Sequence, residues 1–552
     1  MSDSKPECKY GEKCFRLQAD HFSSFRHPHL NTILSQTNSD IRIPSAYSCK
    51  IPKDNLLRQL EIVKSFDSPS NSPSSSKAAQ PDTGAKKMDP GSLKRNLLNY
   101  REYVQKRSKG DILSKIEHSE PYRYFLSAIA DESKTHDDML SVSFPELLSN
   151  KLGTLESSLQ INFMVQITWL YAQYAVYNEK TTPITLLYGC EDAEMSDAIQ
   201  KKLLPTLNAT YIKPSAFGSH HTKMMILSYT DKSIRVIVTT GNLIEFDWEN
   251  TTQGIWISPR LPFIEQRTDE EYQFDSETKF KKDLLSYLRA YNLSVLNPWI
   301  EKVKNADCRE VKVFFIASTP GTHSKKAPVN WGLNRLAELL NQNALVPSEN
   351  AKDWPLYYQC SSIGSLGKDP HAWLLGEVTR VMSSAKKCLS FQPPVKLIYP
   401  SFDDVFSSYD GLAAGGCLPY NQATHDKQPW LNQYLCKWKS NIRNRTKSMP
   451  HIKTYCRISP CKKYLSWFLL TSANLSKAAW GMENKAKTDL RILSYEAGVL
   501  FIPTFLIEKD RFPLTNEKPS EDGPQFPLHY DIPPTPYTSS DSPWVMDMLQ
   551  NA

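Results

Sequence analysis

His221-Thr222-Lys223 is followed, 19 residues after the Lys, by Asn242 within Val238-Thr239-Thr240-Gly241-Asn242-Leu243. The chain then repeats the figure: His451-Ile452-Lys453 is followed 21 residues on by Asn474, within Leu470-Thr471-Ser472-Ala473-Asn474-Leu475. Each copy reads as His-x-Lys, a strand, and an Asn where the strand runs out into a loop or helix. One His-x-Lys arises by chance in many chains and is then an exposed polar pair. Two copies with the same Thr-(Thr/Ser)-x-Asn-Leu ending indicate an internal duplication in which each copy supplies half of one site.

The flanks agree. From about Glu117 short apolar runs, Ile184–Tyr188, Ile234–Val238 and Val311–Ile316, alternate with a helical recurrence of Phe280, Leu284, Leu288 and Tyr291. After an amphipathic Leu333-Leu336-Leu340 the alternation resumes at Val395–Tyr399 and Trp467–Leu470. Such alternation predicts an α/β fold of two similar α/β/α sandwich halves related by a pseudo-twofold. The length of 552 residues suits this, because single cores stop growing at roughly 250–300 residues. The expected divisions are a small module over 1–30, a linker over 31–116, a first half over 117–316 and a second over 317–552.

The linker is predicted from composition. Ser68 to Ser76 holds six Ser in nine residues, with Pro69 and Pro73 between them. Between Gly84 and Ile116 nine cations meet three acids, so this stretch carries +6 of a chain total of +7. That composition fits a helical arm, a nuclear-import signal or a solvated linker. The mild excess permits a polyanionic partner without requiring one. No run of about 18 apolar residues is present, so no membrane association is expected, and the amino-terminal residues lack the apolar stretch of a signal peptide. Eleven Cys, irregularly spaced, suit a reducing compartment or a metal site, which points to cytosol or nucleus.

Two His, two Lys and two Asn converging at an interface form a cationic site with no matching carboxylate pair, and such a site suits a phosphoester. Lys ammonium and Asn amide hydrogens would hold the oxygens whose charge grows as phosphorus becomes five-coordinate. With a reference pKa near ~6.5, one imidazole can be neutral and nucleophilic while the other is protonated and acidic. No catalytic metal is needed: Lys beside His would repel a cation. His220-His221 could otherwise be a surface pair or metal ligands.

These residues resemble the phospholipase D superfamily and, within it, the tyrosyl-DNA phosphodiesterase family. The superfamily usually places Asp five residues after the Lys; Ser228 and Ile458 stand there instead, as in the tyrosyl-DNA phosphodiesterases. The longer matches are Ser219–Met225, Thr252–Trp256, Ser362–Gly367, Met449–Tyr455 and Thr471–Gly481, and the resemblance runs from about Glu117 to Met548. It implies that His221 is the nucleophile, becoming phosphohistidine, and that His451 protonates the departing tyrosine and then activates water. It further implies that Lys223, Lys453, Asn242 and Asn474 clamp the phosphate, and that Gln253 and Glu496 orient the imidazoles. Phe217 matches an aromatic that stacks on a DNA base, although by itself it reads as ordinary core. Ser362, Ser365, Ser476, Lys427 and the backbone around Ala478 match positions on the scissile strand. The acid-free run Lys437, Lys439, Arg443, Arg445, Lys447 fits either a rim for DNA or a solvated loop.

Cys8, Cys14, His21 and His27 are separated by five, six and five residues, a spacing that suits a closed tetrahedral structural zinc in a segment too short to fold unaided. The segment resembles the poly(ADP-ribose)-binding zinc finger, which implies that Tyr10, Phe15 and Arg16 read the polymer; Phe15 stands where Tyr is usual. The resemblances together imply a nuclear DNA-repair hydrolase, with some cytoplasmic residence allowed. It would be a monomer that releases topoisomerase I-derived peptide from the 3′ ends of single- or double-stranded DNA and is drawn to poly(ADP-ribose). The alternatives are another nuclease or lipid phosphodiesterase of the superfamily, or a poly(ADP-ribose)-binding adaptor.

Overall fold

The computed structural model describes residues 7–8, 11–14, 22, 25–36, 43–44, 47, 53–65, 107, 110–177, 181–190, 195–196, 204–266, 270–386, 392–515 and 523–551. The Ser-rich stretch 68–76, most of the basic segment, and Tyr10, Phe15, Arg16 and His21 lie outside the described residues.

Among the described residues, the strands of the first half are β1 (Tyr124–Ser127), β2 (Ser141–Val142), β3 (Leu155–Asn162), β4 (Ile184–Tyr188), β5 (Leu207–Tyr211), β6 (Met224–Tyr229), β7 (Ile234–Thr239), β8 (Thr251–Thr252) and β9 (Gly254–Ile257). All but β8 form one sheet in the order β2-β1-β9-β7-β6-β3-β4-β5. Twelve more follow: β10 (Phe314–Ser318), β11 (Gly321–Ser324), β12 (Leu356–Gln359), β13 (Val395–Ile398), β14 (Leu435–Cys436), β15 (Met449–Pro450), β16 (Thr454–Ile458), β17 (Tyr464–Thr471), β18 (Met482–Glu483), β19 (Asp489–Ile492), β20 (Glu496–Phe501) and β21 (Phe512–Pro513). The second sheet runs β10-β20-β17-β16-β12-β13-β14, with β21 pairing to β17.

Set side by side, β1-β9-β7-β6-β3-β4-β5 and β10-β20-β17-β16-β12-β13-β14 agree strand for strand in order and in sense. The first four pairings of each series are antiparallel and the last two parallel. The duplication read from two short motifs is therefore a duplication of topology.

Alternation along the strands assigns the two faces of the first sheet. Met224, Ile226, Val236 and Val238 enter a large core shared with the second half, whereas Met225, Leu227 and Ile237 enter a separate outer core with helix Ile167–Tyr177. The halves approach closely where Gly254 faces Leu470 and Ile452: a Cβ there would lie 2.5 and 2.6 Å from their methyl carbons. Gly is therefore the residue that fits.

Several expected boundaries move. Val311–Ile316, placed at the end of the first half, feeds β10, which starts three residues later because Val311 closes a turn onto Cys308 O at 2.9 Å; β10 belongs to the second sheet. The first half begins before residue 117, since Ile112 and Ile116 of helix Ile112–His118 are in its outer core and Lys115 makes a buried ion pair with Glu146 at 2.8 Å. The amino-terminal module extends beyond residue 30 into the predicted linker. Helices Pro28–Ser35 and Lys53–Ser65 pack Leu30 and Ile33 against Leu56 and Leu60, and Gln59 Nε2 donates to Cys14 O at 2.6 Å. A few ligand residues cannot bury apolar surface alone, and the second helix supplies the missing side.

The cationic run at 437–447 is not a free solvated loop. Lys437 pairs with Asp541 at 2.6 Å and Lys439 with Asp404 at 3.3 Å, and Lys447 lies over the Tyr409 ring. Arg445 is fully buried and crosses to the first half, donating to Ser127 O at 3.1 Å and to Ser141 Oγ. Among the described residues no helix is long and apolar enough to cross a membrane.

Candidate active site

Both His-x-Lys motifs sit immediately before a central strand, β6 or β16, and both Asn follow the neighbouring strand, β7 or β17. Antiparallel pairing of those strands returns each Asn to the end at which its His stands. Backbone bonds then join the halves crosswise. His221 N donates to Tyr495 O at 3.0 Å, ahead of β20, while His451 N donates to Thr252 O at 3.0 Å, and β15 pairs with β8.

Each imidazole is consequently supported by the opposite half. His221 Nδ1 lies 3.0 Å from Glu496 Oε2, and His451 Nδ1 lies 3.2 Å from Gln253 Oε1. The supports are held alike: Ser472 Oγ donates to Glu496, and Thr240 Oγ1 donates to Gln253 Oε1 at 2.8 Å. With Nδ1 engaged, Nε2 is the nitrogen left for chemistry on both rings. Lys223 Nζ and Lys453 Nζ each donate to the carbonyl of their own motif His. Asn474 Oδ1 accepts from the backbone N–H groups of Ser361 and Ser362, both at 3.0 Å, so its amide hydrogens remain for a ligand oxygen.

The site is expected to hold no matching carboxylate pair, with Glu496 the one acid beside an imidazole; a second acid stands there. Besides Glu496, the buried Asp247 places Oδ2 3.2 Å from His451 Nδ1 and accepts the Asn242 N–H at 2.6 Å. The second copy has no counterpart to mark it in the sequence: five residues after Asn474 stands Ala479, where five after Asn242 stands Asp247.

Burial lowers the pKa of His221, reinforced by Lys223 and opposed by Glu496, so the ring is neutral near pH 7. Burial and Lys453 lower His451 to about 4, against the pull of Asp247. Burial brings Lys223 to about 8; burial and the nearby Lys223 bring Lys453 to about 7. An anionic phosphodiester reverses these pressures, recharging the lysines and favouring the imidazolium.

His220 is neither a surface residue nor placed as a ligand. It is buried, with Nε2 2.9 Å from Tyr291 OH, which is itself 2.9 Å from Tyr287 OH; Tyr287 OH reaches Thr222 Oγ1. Tyr291 stacks on Tyr495, so this network backs both His221 and the strand carrying Glu496. Of the two residues where an Asp would be usual, Ser228 hydrogen-bonds Glu156 at 3.0 Å and Ile458 is buried in the core.

The remaining candidates line one continuous edge. Phe217 is 94% exposed, with φ of 65°, at the tip of a turn closed by Gly218 N to Ser215 O. A bulky residue in the left-handed region and in solvent is held there against both preferences, which removes the core reading. Gly218 permits the approach to Leu493, since a Cβ would lie 2.0 Å from its carbonyl oxygen. Leu493 N donates to Ala478 O, Ser476 Oγ caps the turn below it, and Ile363 bridges to Leu475, which brings in the loop bearing Ser362 and Ser365. Gln428, next to exposed Lys427, clips that loop through Leu366 N at 2.9 Å and Gly364 O at 3.1 Å. Phe217→Ala should leave the melting temperature nearly unchanged and weaken single-stranded DNA binding by about 1 to 3 kcal/mol, measurable by fluorescence anisotropy. A large stability loss with unchanged affinity would contradict the platform role.

In the amino-terminal module Cys8, Cys14 and His27 are buried, with ligand atoms all within 4.8 Å of one another. Tetrahedral zinc with Zn–S bonds of about 2.3 Å sets ligands about 3.8 Å apart, so the three fit that ion. His21, the expected fourth ligand, lies outside the described residues.

A duplicated α/β fold with two His-Lys-Asn sets crossed between its halves defines a phosphodiesterase hydrolase of the phospholipase D type. Residues 123–538 match the family model for tyrosyl-DNA phosphodiesterase, and residues 5–30 match the PBZ domain. The chain is 42% identical to tyrosyl-DNA phosphodiesterase 1 of Drosophila melanogaster, over 99% of this chain and 100% of that one. It is 34% identical to a probable tyrosyl-DNA phosphodiesterase of Caenorhabditis elegans, over 71% of this chain and 82% of the relative. The fold resembles the crystal structure of the yeast tyrosyl-DNA phosphodiesterase, with a TM-score of 0.57 at 20% identity, covering 77% of this chain and 99% of that one. The chain belongs to the tyrosyl-DNA phosphodiesterase family.

Proposed function

We propose that this enzyme hydrolyses the bond between a DNA 3′-phosphate and the tyrosine of trapped topoisomerase I, through a phosphohistidine on His221. The observation that carries the reading is the crossed support of two imidazoles, each fixed through Nδ1 and left with Nε2 for chemistry. His221 Nε2 attacks phosphorus; the P–O bond to tyrosine breaks, its electron pair goes to the phenolic oxygen, and His451 Nε2–H supplies the proton. His451 Nε2 then takes a proton from water, whose oxygen attacks phosphorus. The P–N bond breaks with its electron pair returning to His221, so water and the phosphohistidine become a 3′-phosphate and free His221, the tyrosyl peptide having left in the first step. Lys223, Lys453, Asn242 and Asn474 hold the non-bridging oxygens throughout.

The exposed Phe217 and the serine-lined edge beside it suit a DNA strand better than an acyl chain, which favours 3′-adducts on single- and double-stranded DNA and exonuclease-type end processing over a lipid substrate. The zinc module would bind poly(ADP-ribose) through Tyr10, Phe15 and Arg16. Those two ligand classes are what supports a nuclear enzyme, with some in the cytoplasm, and two half-sites within one chain are what supports a monomer.

A single assay tests the reading: recombinant enzyme on a 3′-phosphotyrosyl oligonucleotide, with and without a strong chelator. Cleavage should persist in chelator while poly(ADP-ribose) binding is lost, because only the amino-terminal module depends on zinc for its fold. A requirement for added magnesium or zinc, or preference for a phosphatidylcholine substrate, would overturn it.

A further inference from the structure

The pseudo-twofold is broken behind the two histidines. Glu496 gives His221 a carboxylate directly, but the matching residue for His451 is the neutral amide Gln253. Gln253 cannot reverse its amide, because Nε2 donates to Asp247 O at 2.9 Å and Oε1 already accepts from Thr240. His451 Nδ1 must therefore carry a hydrogen, which it donates to Gln253 Oε1 at 3.2 Å, while Asp247 Oδ2 stands beside it as an ion-pair partner, also at 3.2 Å. Asp247 Oδ2 also accepts the Asn242 N–H at 2.6 Å, so one buried carboxylate oxygen touches the acid of the second half and the clamp of the first.

We propose that Asp247 is the positioning residue that equips His451 to act as the acid, and that Gln253 alone does not. The inference rests on the reading that His451 protonates the leaving tyrosine. Lys453 and Lys223 face His451 and oppose a third positive charge, and Asp247 is the carboxylate against its ring. Burial alone would raise the Asp247 pKa, but His451, the Asn242 N–H and Lys453 outweigh it and hold the group ionised. In the first half the carboxylate faces the nucleophile, where Glu496 stabilises the positive charge that His221 gains on bonding to phosphorus. In the second half the carboxylate stabilises the imidazolium before its proton leaves. The two halves thus use charge at opposite moments, and they place it from different sequence positions, after the Asn in one and at the first residue of a strand in the other.

A role through proton donation has a signature that a packing role lacks: dependence on how well the leaving group departs unaided. Asp247→Asn keeps the shape and the acceptor for Asn242 N–H while removing the charge. First-turnover phenol release should be measured on two oligonucleotides, one ending in 3′-phosphotyrosine and one in a 3′-p-nitrophenyl phosphodiester, whose phenol is far more acidic. The variant should release tyrosine about 10- to 100-fold more slowly than wild type, and the rate ratio of nitrophenol to tyrosine should rise at least about tenfold. Should Asp247→Asn fail to fold, Asp247→Ser retains an acceptor for Asn242 and makes the same comparison. An equal slowing on both substrates, or none on either, overturns the role of Asp247. Wild-type enzyme inactive on phosphotyrosine but active on another phosphodiester would instead overturn the function from which it starts.

Discussion

His221→Ala should abolish the reaction before any covalent species forms, lowering first-turnover release of tyrosine by about 10⁴-fold or more. No group among those fixed in the site takes its place: Lys223 and Lys453 point to carbonyls of their own motifs, and His451 Nε2 is committed to the acid's role in the proposed reaction. The side chain is partly exposed and its network of His220, Tyr291 and Tyr287 stays intact, so the melting temperature should hardly move. Mass spectrometry of quenched reactions should show no phosphorylated protein. Residual turnover within about tenfold of wild type would mean that water attacks phosphorus directly.

His451→Asn should behave differently, although the fold makes the two histidines look equivalent. A tyrosine phenol has a pKa near ~10 and departs slowly without an acid, whereas water is a poor nucleophile without a base, so the second step suffers more. Adduct formation should slow by about 10²-fold and its hydrolysis by a further factor of at least about ten, so protein–DNA adduct accumulates. A shifted band in a denaturing gel at neutral pH reads this out, with the linkage on His221. Accumulation in His221→Ala instead would exchange the two roles.

The candidate set of two His, two Lys and two Asn was legible because duplication doubled the signal: His-x-Lys and Asn mean little once and much when they recur. Strands such as Ile184–Tyr188 were legible from apolar runs of strand length, and helix Phe280–Ala290 from its period. Asp247 was hidden by the same logic that revealed the others, since Ala479 takes its place in the second copy. Arg445 was misread because five cations without an acid look like a surface for polyanions, whereas Asp404 and Asp541 arrive from distant parts of the chain to neutralise two of them. Leu56 and Leu60 have helical spacing, but the Ser- and Pro-rich neighbourhood drew the whole stretch into a linker. Phe217 was ambiguous in sequence because type alone predicts burial; the left-handed backbone of its turn turns it outward.

Crossed support has a historical corollary. In a symmetric pair of identical subunits, any change behind one histidine is copied behind the other, so acid and nucleophile would have to share one compromise environment. Once both copies lie in a single reading frame, each can drift alone. Glu496 opposite His221, with Gln253 and Asp247 opposite His451, is the record of that independence. The same arrangement makes the gene indivisible: a polypeptide truncated between the halves would carry a histidine whose partner is encoded in the missing piece, and separation would leave two inert fragments rather than one weaker enzyme.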